Sequence, residues 1–379
     1  MAVINSIADF RELARRRVPR AIFEYADRGS YDEITLRRNR SELDAMRLRQ
    51  RVMVDVTSRS VSTTMAGQAS SMPLGIAPTG LTGLFYPDGE IHGLKAAAAA
   101  GIPFCLSTLS ICSIEDLRAA TPAPFWFQLY LMRDRAFNAE LIERARSAAC
   151  PVLVLTVDLP AMAIRRRDAK NGLSVPPKLT VRNLLDVLGK PRWIAGMLGT
   201  RRHSFGNLEG RMSAGTGMLN LTEWVAQQFD ASATWKDVAW VRERWPGKLV
   251  IKGVLNADDA REAAAVGADA VVVSNHGGRQ LDGATSTIEA LPEVVEALKD
   301  RCEVLLDGGV MSGQDVLKAL ALGARGCLIG RAHLYGLAAM GEKGVTTAID
   351  ILRKEMEVTM MLTGLRSTGE ITRDLLVEE

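Results

Sequence analysis

What most constrains the fold of this 379-residue chain is a unit that recurs from Pro73 onward: a short apolar run, a polar or glycine end, then a helical stretch. The apolar runs cover 74–78, 104–107, 125–129, 152–157, 249–252, 270–274, 303–306 and 327–329. Near-continuous apolar character is that of strands buried on both faces, as in parallel sheets. Helical segments 91–100, 139–148, 257–266 and 313–322 lie between them, and Gly101, Gly267 and Gly323 follow three of these as helix stop signals. Eight strands alternating with helices predict an α/β fold with a parallel sheet, most economically closed as a (β/α)8 TIM barrel. A doubly wound open sheet is the alternative, but no G-x-G-x-x-G follows an early strand.

Residues 1–72 read as a helical lead-in: a capped amphipathic helix over 5–17, Pro19, then a second helical run through Phe23 and Tyr25. With 47% hydrophobic and 24% charged residues the chain can bury a large core, and residues 1–379 read as one barrel domain. A net charge of +3 is too small to point to nucleic acid. The five cysteines form no C-x-x-C pair and read as reduced core residues, hence a cytosolic compartment; no metal site is expected. The N-terminal residues lack the apolar core of a signal peptide, and no apolar run is long enough to span a bilayer.

In barrels of this kind chemistry gathers where strands end, because those loops share one face. The ends here are Thr79 and Gly80 (after Pro78), Ser107, Gln128 and Tyr130, Thr156 and Asp158, Lys252, Ser274 and His276, Asp307 with Gly308 and Gly309, and Gly330 with Arg331. Stopping a strand also selects polar residues and glycine, which explains the glycines well and the Gln, Lys, Asp and Arg less well. The densest end follows Val271–Val273: Ser274, Asn275, His276, Gly277, Gly278 and Arg279. His276 can take a proton near neutral pH, and Arg279 can clamp a planar carboxylate beside it. Two glycine corners on the last two strands, Gly308-Gly309 and Gly330-Arg331, resemble a phosphate cradle and point to a phosphate-bearing cofactor.

S-N-H-G-G-R-Q-L-D-G (274–283) resembles the active-site signature of the FMN-dependent L-2-hydroxy acid dehydrogenases and oxidases. The resemblance extends through I-A-P-T-G (76–80), F-Q-L-Y (127–130), L-T-V-D (155–158), V-I-K-G (250–253), L-D-G-G-V (306–310) and I-G-R (329–331). W-K-D-V-A-W-V-R (235–242) and T-G-L-R-S-T-G-E-I-T (363–372) place the chain nearest the quinone-linked L-lactate dehydrogenases of that family. The resemblance implies that His276 is the base, oriented by Asp158, and that Arg165 and Arg279 hold the substrate carboxylate with Tyr25. Tyr130 would hydrogen-bond the substrate oxygen, and Lys252 would sit at flavin N1 and O2. Pro78, Thr79, Gly80, Ser107, Gln128, Thr156 and Ser274 would contact the flavin, with Asp307, Gly308, Gly309, Gly330 and Arg331 around the ribityl phosphate. Taken singly, Lys252 reads equally as a salt-bridged strand end, Asp158 as a helix cap, Tyr25 and Tyr130 as packing, and Arg165 as the start of a solvated Arg-Arg-Arg run.

Family members usually carry a second phosphate-binding arginine where this chain has Met311; Gly80, Leu109 and Met162 fall where the family tunes pocket size. The stretch 168–234, after the fourth strand, is long for such a loop. Its 178–211 part mixes Leu179, Leu184, Leu185, Val187, Leu188, Trp193, Ile194 and Met197 with Lys178, Arg182, Lys190, Arg192, Arg201, Arg202 and Arg211. That composition suits an anionic membrane surface, and equally a lid or a subunit contact. The resemblance implies L-lactate oxidation to pyruvate with quinone as acceptor, a peripheral site on the cytoplasmic face of the inner membrane, and a homotetramer. The alternatives are a mandelate-type dehydrogenase, an oxygen-using oxidase, and a non-catalytic barrel that binds a phosphorylated ligand.

Overall fold

The computed structural model of the chain describes residues 3–172, 180–209 and 227–377. Two short strands, β1 (Thr63–Met65) and β2 (Gln68–Ser70), pair antiparallel through Ala66 and Gly67, whose positive φ angles are those of a two-residue hairpin turn. Then come β3 (Leu74–Ile76), β4 (Cys105–Ser107), β5 (Trp126–Tyr130), β6 (Val152–Thr156), β7 (Lys248–Val254), β8 (Ala270–Val273), β9 (Glu303–Asp307) and β10 (Gly326–Ile329). From β4 to β10 each pairs parallel with the next, β10 returns to β3, and a bridge between Ile76 and Phe104 brings β3 to β4. The sheet is a nearly closed (β/α)8 barrel, as the alternation predicts, and each strand lies within two residues of its expected bounds. All five cysteines are free and buried.

Alternation along the strands sorts side chains between barrel and helices. Ala77, Cys105, Trp126, Val152, Val154, Val250, Ala270, Val272, Leu305 and Leu328 form one interior cluster, while Leu153, Leu155, Leu249, Ile251, Val271 and Leu306 pack outward. Met65 and Ala66 of the hairpin join the interior set. Met65 lies against Gly326, and Ala66 N donates to Glu303 Oε2 at 2.6 Å, both at strand starts. The hairpin therefore stoppers the N-terminal end of the barrel, a role that its short, weakly patterned sequence does not announce.

Two residues past the inward positions, the same alternation delivers Ser107, Gln128, Thr156, Lys252, Ser274 and Asp307 to the opposite end as a polar layer. Ser107 Oγ donates to Gln128 Oε1 at 3.1 Å, and Lys252 Nζ donates to Ser274 Oγ at 2.7 Å and meets Asp307 Oδ2 at 2.8 Å.

The lead-in begins with the helix Ile7–Arg17, whose Ser6 and Asp9 cap each other's backbone, followed by Arg20–Asp27 and Ile34–Ala45. Beyond β6, the long loop contains the helices Val181–Leu188 and Pro191–Gly199. Of the apolar residues that suggested a membrane surface, Leu184, Leu185 and Leu188 are exposed and Val187, Trp193, Ile194 and Met197 are half-buried; Val181 and Leu198, not singled out from sequence, are exposed too. Lys178, Leu179 and Arg211 lie outside the described residues. Trp193 does not share the exposed face: its indole Nε1 donates to Leu84 O at 2.7 Å, so the ring packs on the barrel. Among the described residues no helix is long and apolar enough to cross a membrane.

Candidate active site

His276 follows β8 with φ at +57°, a left-handed conformation uncommon for a residue with a side chain. Ser274 Oγ accepts from His276 N at 3.1 Å, and the ring Nδ1 meets Asp158 Oδ1 at 2.9 Å. With Nδ1 engaged by a carboxylate, Nε2 is the nitrogen left to face the cavity. Burial pushes the imidazole below its ordinary value against the pull of Asp158, and Lys252 and Arg165 add to the lowering. Burial alone would raise Asp158, but the His276 charge, their hydrogen bond and Lys252 outweigh it and hold the carboxyl below the usual range. The pair is thus an ionised carboxylate orienting a neutral imidazole, the state a general base needs. Asp158 comes this close to β7 because residue 253 is glycine at φ +112°; a Cβ there would meet Asp158 Cβ at 2.7 Å. Gln280, not singled out from sequence, fixes the same turn by donating to Asp158 O at 2.9 Å and Ala161 O at 3.1 Å.

Two guanidinium groups line the same cavity as His276. Arg279 Cζ stands 4.7 Å and Arg165 Cζ 5.9 Å from the Tyr25 ring centroid. Arg279 donates to the backbone carbonyls of Tyr25 and Arg28, while Arg165 has Asp168 at 4.0 Å and a buried Nε with no partner. Burial and the charge of Arg165 bring Arg279 down to about 10, so it remains a cation at neutral pH. Burial pushes Asp168 up, which weakens it as a counter-ion. Two cations with so little compensation make a strong site for a planar anion. The Arg-Arg-Arg run resolves cleanly: Arg165 turns inward, whereas Arg166 pairs with Asp32 at the surface. Tyr130 is buried with its ring edge-on to Phe229, and burial together with Asp158 keeps its phenol protonated.

One cavity collects most of the expected residues: Tyr25, Pro78, Thr79, Gly80, Ser107, Tyr130, Arg165, Lys252, His276, Arg279, Asp307, Gly308, Gly309, Gly330 and Arg331 all line it. Leu109, Met162 and Met311 line it too. Four expected residues stand outside its wall. Asp158 lies behind His276, Ser274 beneath Lys252, Gln128 is buried beside Ser107, and Thr156 borders a neighbouring cavity. Lys252 is only 3% exposed, and its partners Asp307 and Asp158 keep it charged against the burial that would lower it. Arg331 donates to Ala26 O, Gly277 O and Arg28 O at 2.7, 2.9 and 3.2 Å. It reaches Gly277 because that residue has no side chain: a Cβ would lie 2.8 Å from Arg331 Nη1. Asn275, within the signature but given no role, forms a two-way bond with Asn39 of the lead-in at 2.7 and 2.8 Å and so fastens the His276 loop.

Three buried polar atoms of the strand-end layer lack partners: Gln128 Nε2, Thr156 Oγ1 and Asp307 Oδ1. Native interiors rarely leave such groups unpaired, so they mark the edge of a polar ligand. Their mixture of donor and acceptor beside the Lys252 cation fits the hydrogen-bonding rim of a flavin. Among the described residues no cluster of His, Cys, Asp and Glu could hold a metal ion.

The sequence profile of the family described as FMN-dependent dehydrogenase matches residues 14–378. The chain belongs to that family. It is an oxidoreductase, and FMN is its cofactor. It is 49% identical to the L-lactate dehydrogenase of Caulobacter vibrioides (strain NA1000 / CB15N) over 378 residues, covering 99% of this chain and 98% of that one. It is 46% identical over 379 residues to the L-lactate dehydrogenase of Ectopseudomonas mendocina (strain ymp), covering 100% of both. A crystal structure of the monotopic membrane protein (S)-mandelate dehydrogenase superposes over 100% of both chains with a TM-score of 0.94 at 37% identity.

Proposed function

We propose that this FMN-dependent dehydrogenase oxidises L-lactate to pyruvate and passes the electrons to a quinone. The observation that carries the substrate reading is the juxtaposition of the Asp158-held imidazole with the under-compensated Arg165 and Arg279 in one cavity. The two guanidinium groups bind the carboxylate beside the Tyr25 ring, and the Tyr130 phenol donates to the substrate oxygen. His276 Nε2 accepts one of the two protons lost, from the hydroxyl or the α-carbon. Asp158 stabilises the imidazolium that results. FMN supplies the two-electron acceptor when bound. Gln128, Thr156 and Ser107 would hold its ring rim, Lys252 would oppose the negative charge that reduction brings, and Asp307, Gly308, Gly309, Gly330 and Arg331 would surround the ribityl phosphate.

A bulkier acid such as (S)-mandelate is the second reading, supported by the (S)-mandelate dehydrogenase likeness and by the side-chain-free wall at Gly80. Anaerobic addition of each acid to the yellow protein separates the two: L-lactate bleaches the flavin at lower concentration than (S)-mandelate. A flavin that neither acid bleaches refutes both.

Peripheral membrane binding and access to quinone are read from the exposed leucines of the helices Val181–Leu188 and Pro191–Gly199, flanked by the exposed Arg182, Arg192 and Arg201. The cytoplasmic face of the inner membrane and a homotetramer complete the proposal. Reoxidation of the bleached enzyme by a quinone faster than by air, and a fourfold mass in solution, are the checks.

A further inference from the structure

Glu90 lies in the first turn of the helix Gly89–Ala100 and is 1% exposed. Its Oε1 accepts from two backbone amides of different loops: Gly83 N at 3.1 Å, after β3, and Ile111 N at 2.9 Å, after β4. Its Oε2 has no partner within hydrogen-bond geometry. Among the described residues no cation pairs with it; burial pushes its carboxyl above the usual range, with the Cys112 thiol as its polar neighbour. A buried carboxyl without a counter-ion is costly to keep, so its value lies in what it joins.

The two loops it joins carry facing walls of the substrate cavity. Gly80 and Leu109 both line that cavity, and Leu81 N donates to Leu109 O at 2.9 Å. A Cβ on Gly80 would meet Leu109 O at 3.1 Å, so the walls already touch. Gly83 is seated on Ile111 so tightly that a Cβ there would come within 2.6 Å of the Ile111 Cβ. On its far side the second loop is fixed independently: Asn207 accepts from Ile114 N at 2.9 Å and donates to Ser107 O at 3.2 Å. The loop is thus anchored at both ends by Asn207 and held to its neighbour near its middle by Glu90.

We propose that Glu90 is a positioning residue that sets the gap between Gly80 and Leu109, and through it the bulk of 2-hydroxy acid the cavity accepts. It touches no substrate; it acts through two amides. The proposal rests on the 2-hydroxy acid reading and adds a determinant of selectivity outside the cavity wall.

The experiment compares Glu90→Gln, which keeps the Oε1 acceptor in a neutral isostere, with Glu90→Leu, which removes it. In holoenzyme of equal FMN content, Glu90→Leu raises KM for L-lactate about tenfold with kcat little changed, and shifts the kcat/KM ratio of L-lactate to (S)-mandelate toward the bulkier acid. Glu90→Gln restores the wild-type ratio. Amide hydrogen exchange gives a readout independent of turnover: Gly83 and Ile111 lose protection in Glu90→Leu and keep it in Glu90→Gln. Should Glu90→Leu fail to accumulate, Glu90→Asp, too short to reach both amides, takes its place and shows the same selectivity shift. An unchanged ratio in Leu or Asp variants, or a shift of equal size in Glu90→Gln, overturns the proposal. Wild-type enzyme that turns over neither acid instead sinks the functional reading, while the exchange data still decide whether Glu90 joins the loops.

Discussion

At the scale of single residues, the site runs on buried charges whose partners decide their state. Replacing His276 with glutamine removes the base and leaves the flavin contacts in place; kcat falls at least a hundredfold while the visible spectrum of bound FMN persists. Because burial lowers the His276 imidazole from its ordinary 6.5, kcat/KM stays level through neutral pH and declines only on the acid side, as the ring takes up its proton. The stability contribution has the same sign. Below about 6.5 the unfolded chain binds a proton that the folded site resists, so this group favours unfolding as pH falls; a pH series of denaturation midpoints checks it. Lys252→Met leaves the Asp307 carboxylate buried without its 2.8 Å partner and costs about 3–5 kcal/mol, measured by denaturant unfolding. The strand-end groups that line the cavity were legible in the sequence because each follows an apolar run. The groups that hold them were not. Asn39, Asn207 and Gln280 sit on helices or loops remote in sequence from what they fix, Glu90 reaches across from the next helix, and no local pattern marks a buried amide or carboxyl that serves another loop.

At the scale of elements, the eight strands were readable because parallel strands buried on both faces are apolar throughout, and that signal survives without knowledge of the neighbours. The inward direction of Ser107, Gln128, Thr156, Lys252, Ser274 and Asp307 follows from the two-residue period alone. The hairpin of β1 and β2 was not readable, since three-residue strands carry too short a pattern. The long loop is basic and apolar, but composition could not tell which side chains turn outward. Trp193 turns to the barrel, and the leucines of Val181–Leu188 turn away from it. Leu184→Glu combined with Leu188→Glu therefore weakens co-sedimentation with anionic vesicles by an order of magnitude or more, while kcat for the hydroxy acid with a soluble dye acceptor is unchanged. Equal sedimentation of the variant and the parent protein overturns the membrane assignment.

Over the whole molecule, the two ends of the barrel divide stability from chemistry. Reactive groups crowd the end where strands finish, and the end where they start is packed shut by Met65 and Ala66 among valines and leucines. Met65→Ala opens a hole at that lower end and costs about 2–5 kcal/mol by thermal or denaturant unfolding, with KM and kcat unmoved at temperatures where the variant stays folded. The third lead-in helix, Ile34–Ala45, which the sequence reading did not name, fastens the His276 loop through Asn39 and Asn275, so the lead-in belongs to the end where the strands finish. Plugging the bottom has a consequence for traffic. A tube sealed at its base is entered, among the described residues, from the strand-end side, so acid, keto acid and electron acceptor are all expected to approach from above His276. If they share one opening there they must take turns, which parallel lines in double-reciprocal plots of rate against acid at several acceptor concentrations would show.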